Sequence, residues 1–81
     1  MMTKRSEQSV QFEEWLMVCM RTADVNNFGE AAKIFGVSRR TLHTWIKHPE
    51  KLKRYMLAGI MCILNVQNDS LEELCRAFGI E

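Results

Sequence analysis

The stretch Phe28-Gly-Glu-Ala-Ala-Lys-Ile-Phe-Gly-Val-Ser-Arg-Arg-Thr-Leu-His-Thr-Trp-Ile-Lys47 decides how this chain folds. Asn27 and Glu30 stand at the N-cap and N3 positions of a capping box, so a helix begins at Asn27. Ala31, Ala32, Ile34 and Phe35 supply its packing side. Gly36 stops it, because glycine enters the left-handed turn at a helix C-terminus without strain. Ser38 then caps a second helix. That helix runs to about His48 and ends before Pro49, since the residue preceding a proline is disfavoured in helix. Val37, Leu42, Trp45 and Ile46 form its apolar side, while Arg39, Arg40, His43, Thr44 and Lys47 lie elsewhere on its barrel.

Upstream, Phe12, Trp15, Leu16, Cys19 and Ala23 recur at helical spacing and predict a helix over roughly Ser9 to Ala23, its apolar face widened by Val18 and Met20. Asp24 to Asn27 is a loop of turn-forming residues. Downstream, Pro49 suits the first position of a further helix. Leu52, Tyr55, Met56, Gly59, Ile60 and Ile63 make one stripe on it, and Leu57, Met61 and Leu64 a second beside it. A helix apolar over most of its circumference is either central in a core or shared with a partner chain. We assign the first stripe to the monomer core and expect Leu57, Met61 and Leu64 to form a dimer surface. After an Asn65–Asp69 loop, Ser70 and Glu73 open a last helix that Gly79 ends. The prediction is all-α: a small bundle of about five helices in one domain over residues 1–81, with the decisive motif at 28–47 and a dimerisation region at 55–80.

Composition excludes several classes. At 81 residues, the chain can build only a small core, which leaves no room for a nucleotide-binding sheet or barrel with an active site. We therefore expect no enzyme, no cofactor and no small-molecule substrate. Met1 to Val10 is polar and lacks the apolar run of a secretory leader, and the apolar stretch Tyr55 to Leu64 is about half of what a membrane span needs. Cys19, Cys62 and Cys75 are odd in number and show no ligand spacing, so they read as reduced core residues of a cytoplasmic protein rather than disulfide or metal partners. His43 and His48, five apart with no partnering thiol or carboxylate, give no metal site. The pairs Glu13-Glu14 and Glu72-Glu73 read as solvated helix faces, and Cys75 has no base beside it.

Net charge is only +1, but its distribution is uneven. Lys33, Arg39, Arg40, Lys47, Lys51, Lys53 and Arg54 accompany a single acid, Glu50, across that segment. Outside it Lys4, Arg5, Arg21 and Arg76 are outnumbered by the nine other acids. Such segregation creates a positive face suited to a polyanion, with nucleic acid the first candidate.

The same window resembles the prokaryotic helix-turn-helix of phage and plasmid repressors. In that family a small residue sits where the two helices cross, matched by Ala32; a glycine four residues later makes the turn, matched by Gly36. An apolar plug follows, matched by Val37, and two apolar anchors fix the second helix, matched by Leu42 and Trp45. The resemblance covers residues 28–47 and departs from the family at Trp45, where Ile or Val is more usual. It implies that the second helix docks in the major groove, N-terminal end first. Carried over by position, Ser38, Arg39, Arg40, His43, Thr44 and Lys47 would face double-stranded DNA. Arginine suits the O6 and N7 acceptors of guanine, and one of Arg39 and Arg40 is expected to read bases while the other binds phosphate. Backbone amides at Asn27 and Phe28 would suit a phosphate, and Lys51, Lys53 and Arg54 would extend a phosphate-binding rim. The expected function is a DNA-binding transcriptional repressor acting as a homodimer. The alternatives are a DNA-binding subunit of a recombination or packaging complex, or a protein-interaction module that inhibits a host factor.

Overall fold

A computed structural model describes residues 6–81; residues 1–5, with Lys4 and Arg5 of the charge count, lie outside the described residues. Five α-helices follow one another: α1 (Glu7–Thr22), α2 (Phe28–Phe35), α3 (Arg39–Lys47), α4 (Arg54–Ile63) and α5 (Leu71–Phe78), with a 3-10 turn, Pro49–Lys51, between α3 and α4. The described residues form no strand. Three of the helix starts are sealed by hydroxyl or amide caps: Ser6, Ser38 and Ser70 accept the backbone N–H of Ser9, Thr41 and Glu73, and Asn27 adds a fourth by accepting that of Glu30 at 2.9 Å. The second half of the Asn27 box is displaced by one residue, because the Glu30 carboxylate accepts from Asn26 N–H at 2.8 Å.

Four helix ends use one device. Asp24, Gly36, Asn65 and Gly79 adopt positive φ between 57° and 76°. The next residue in each case, Val25, Val37, Val66 or Ile80, returns its N–H to a carbonyl five positions back. This is the Schellman geometry, which satisfies the orphan carbonyls of a helix end and folds an apolar side chain back onto it.

The core is small and continuous. Phe12 and Leu16 of α1, Leu42 of α3, Leu57 of α4 and Phe78 of α5 are sealed from solvent. Phe12 and Phe78 meet edge to face at 5.2 Å, and Trp15 packs on Phe78 at 5.5 Å while its indole N–H donates to Asp69 at 3.0 Å. Buried Ser9 donates from Oγ to the carbonyl of Ile46 at 2.7 Å, which pins the last turn of α3 to the first turn of α1.

The segment after Pro49 differs from expectation. It does not continue as helix: Leu52 and Lys53 are extended (ψ 147° and 154°), and α4 starts at Arg54. The reason is angular. At about 100° per residue, a helix unbroken from Pro49 would turn Leu52 about 120° or more away from Leu57, Met61 and Leu64, and about 80° from Ile60. The extended pair lets Leu52 and all four of those residues reach the same core. Counting Leu52 into the helix had set the stripe one-third of a turn and more out of phase. The assigned dimer surface is therefore wrong: Leu57, Met61 and Leu64 are 0%, 9% and 3% exposed and belong to the monomer core. Tyr55 and Ile63, assigned to that core, are 65% and 46% exposed. Cys62 is likewise on the surface rather than inside, as are Val18 and Ile34. Burial, with the negative charge of Asp69 behind it, pushes the Cys19 thiol up to about 11.

Two outcomes check this packing. Ala32 is buried on α2, which packs against α3, and a crossing at that residue predicts that Ala32→Leu lowers unfolding stability by about 1–3 kcal/mol in denaturant titration; an unchanged midpoint would mean that the helices do not cross there. In thiol labelling of the native protein, Cys62 should react alone, with Cys19 and Cys75 reacting only at the rate of opening.

Candidate nucleic-acid interface

The nine residues of α3 divide by angle. Leu42 and Ile46 are buried and Trp45 is half-buried on one side. Arg40, Thr44 and Lys47 stand on the opposite side, exposed. Arg39 and His43 form a border row facing the start of α2. Arg39 runs past Gly29: a Cβ built on that glycine would lie 3.7 Å from Arg39 Cδ and 3.8 Å from its Nε. The His43 ring stands edge-on to Phe28 with centroids 6.0 Å apart. No acid occurs on α3, and between Glu30 and Glu50 the chain has none. The result is an exposed cationic helix face with no acid on α3 itself.

The anchoring of α3 is local as well as tertiary. Ser38 accepts the N–H of Thr41 at 3.1 Å and donates to the Thr41 hydroxyl at 3.0 Å, so its oxygen serves as a cap before it serves a ligand. The Thr44 hydroxyl donates to the Arg40 carbonyl at 3.0 Å. At the far end, His48 Nδ1 lies 3.5 Å from the Glu50 carboxylate.

The expected site residues fall into two groups. The structure brings Ser38, Arg39, Arg40, His43, Thr44 and Lys47 onto one connected surface, with exposed Lys51 and Lys53 continuing beyond the C-terminus of α3. Arg54 is not part of it. Its guanidinium donates to Glu72 at 2.7 Å, pairing α4 with α5, and the contact raises the Arg54 pKa while it lowers that of Glu72. At the start of α2 the Asn27 side chain accepts the Glu30 N–H as a cap, and the Glu30 carboxylate accepts from Asn26 N–H.

Three supporting residues were not singled out as site residues. Gly29 lies beside the Arg39 side chain, where a Cβ would make ordinary contact, and it leaves room for Asn27 Oδ1, which that Cβ would approach to 3.1 Å; Phe28 props His43, and Ser9 holds the end of α3. A glycine in the first turn of a short helix is a legible anomaly, and the close neighbour it accommodates here is the capping oxygen of Asn27. The contacts of Phe28 and Ser9 depend on tertiary geometry and leave no local signature.

Among the described residues no group of three or more His, Cys, Asp or Glu could hold a metal ion, and no helix is long and apolar enough to cross a membrane. No family model, curated protein or solved structure matches this chain.

Proposed function

We propose that this chain is a sequence-specific double-stranded DNA-binding protein that lays α3 in the major groove, and that it acts as a transcriptional repressor of the phage or plasmid type. The observation that carries the reading is the exposed, acid-free face of α3, with Arg40, Thr44 and Lys47 diametrically opposite the buried Leu42 and Ile46. The major groove admits an α-helix and shows each base pair a distinct donor and acceptor pattern. Phosphates on either side of the groove attract the flanking cations. The α2–Gly36–α3 arrangement supports the reading because it holds α3 with both its ends fixed and its polar side open to solvent.

The border position of Arg39 and the central position of Arg40 assign them different work. Arg39, lying along α2 at Gly29, is aimed at the groove wall and takes a backbone phosphate. Arg40, at the crest of the face, reaches the groove floor and reads guanine through O6 and N7. Lys47, Lys51 and Lys53 track one strand's phosphates away from α3, and contribute affinity without sequence information. Bound at a promoter, such a helix blocks it by occupying it, and a second copy on an adjacent half-site supplies the specificity that one helix lacks.

Selection of bound duplexes from a random pool, followed by titration of the selected site across salt concentrations, tests this. Affinity should fall steeply with salt, the slope reporting the phosphates neutralised; binding insensitive to salt and sequence would remove DNA as the ligand. In Arg40→Ala, affinity for the selected site should drop by about 1–3 kcal/mol with random-sequence binding nearly unchanged. Arg39→Ala should weaken both alike and reduce the salt slope by about one. The reverse pattern would exchange the two roles.

A further inference from the structure

Beyond Arg54, the outer face of α4 has no charged residue for about two and a half turns. Tyr55, Ala58, Gly59, Cys62 and Ile63 are its outward residues, and between Tyr55 and Asp69 the chain contains no charged side chain. Every other helix here places charges on its solvent side. The face is also symmetric about its middle. Gly59 points into open space, with nothing within 4 Å of where its Cβ would be, and the two large exposed side chains, Tyr55 and Ile63, stand four residues to either side of it.

From this pattern we infer that α4 is the self-association surface, pairing antiparallel with α4 of a second copy about a two-fold axis at Gly59. In that register Tyr55 of each copy lies beside Ile63 of the other, and the side-chain-free Gly59 positions face each other and allow close approach. A two-fold contact must be self-complementary, with residue i meeting j and j meeting i, and a pattern with bulk at equal distances from a hollow centre meets that requirement. Charge favours the same orientation. Lys51 and Lys53 lie at the N-terminal end of α4, where Arg54 is already paired with Glu72. An antiparallel pair sets that end beside the partner's last-turn carbonyls and the Asn65–Asp69 loop, whereas a parallel pair would set the two lysines against their own copies.

The area sets the strength. A stable dimer buries about 800 Å² per partner, and two large side chains on about two and a half turns of one helix offer less. The pair is therefore weak in free solution and becomes effective when both copies sit on one duplex, where tethering raises their local concentration. This last step rests on the DNA-binding reading; the surface itself does not.

The test uses the full chain without DNA, by sedimentation and by dilution-dependent amide shifts. Wild-type protein should self-associate with a Kd of roughly 0.1–1 mM, with the shifting amides centred on 55–63. Gly59→Glu sets two carboxylates face to face across the axis and should weaken association at least tenfold. Tyr55→Lys, at a site two-thirds exposed, should do the same should the glycine variant lose helicity. Met17→Glu, on the exposed face of α1, should leave association unchanged. A wild type with concentration-independent shifts at the top of that range, variants that associate as wild type does, or equal loss in Met17→Glu would each overturn the inference. Self-association without any DNA affinity would instead keep this surface and remove the proposed function.

Discussion

Leu42 and Ile46 hold α3 in place, and the rest of the molecule is arranged around that burial. A nine-residue helix has no stability of its own in water, because nucleation is unfavourable and too few bonds follow it. Its persistence comes from two aliphatic side chains sunk among α1 and its neighbours, the Ser38 cap at one end, and the Ser9–Ile46 hydrogen bond at the other. Both anchors leave the opposite side bare. A helix fixed from one side and from both ends can present five polar residues in a rigid geometry, which a surface loop of the same sequence could not.

The α-L turns set the directions of approach. Each of the four Schellman ends reverses the chain within two residues and returns an apolar side chain to the core, so a chain of short helices can fold over on itself without long loops. Two of the four turns use Asp24 and Asn65 rather than glycine, a substitution that short polar side chains tolerate in this region of backbone space. The two that use glycine lie where the chain most needs an abrupt stop: before α3, and after the helix that closes the aromatic cluster of Phe12, Trp15 and Phe78.

The two ends of the basic segment have different electrostatic fates. Among the described residues Arg39, Arg40 and Lys47 form no ion pair and are exposed, whereas Arg54 is satisfied by Glu72 across two helices. Exposed pairs of this kind add little stability. Its effect is to withdraw one cation from the positive face and to leave α4 with a neutral outer surface beyond its first residue. Charge segregation seen along the chain thus becomes sharper in space than in sequence.

The chain's own sequence determined the helices, their caps and the motif. Asn27, Ser38, Ser70, Gly36 and Gly79 act through bonds to residues within five positions, and local chemistry is visible locally. The cationic side of α3 was legible for the same reason, since the period of a helix alone separates Arg40, Thr44 and Lys47 from Leu42 and Ile46. What only the tertiary structure decided is which stripe of α4 faces inward. Every residue from Tyr55 to Leu64 is apolar or nearly so, and an unbroken hydrophobic pattern carries no phase. The phase came from outside the helix: the core needed Pro49 and Leu52 as well as Leu57, and only a break at Leu52–Lys53 brings all three to one side. Periodicity reports the inside of a helix when polar residues mark its outside, and α4 has no such marks.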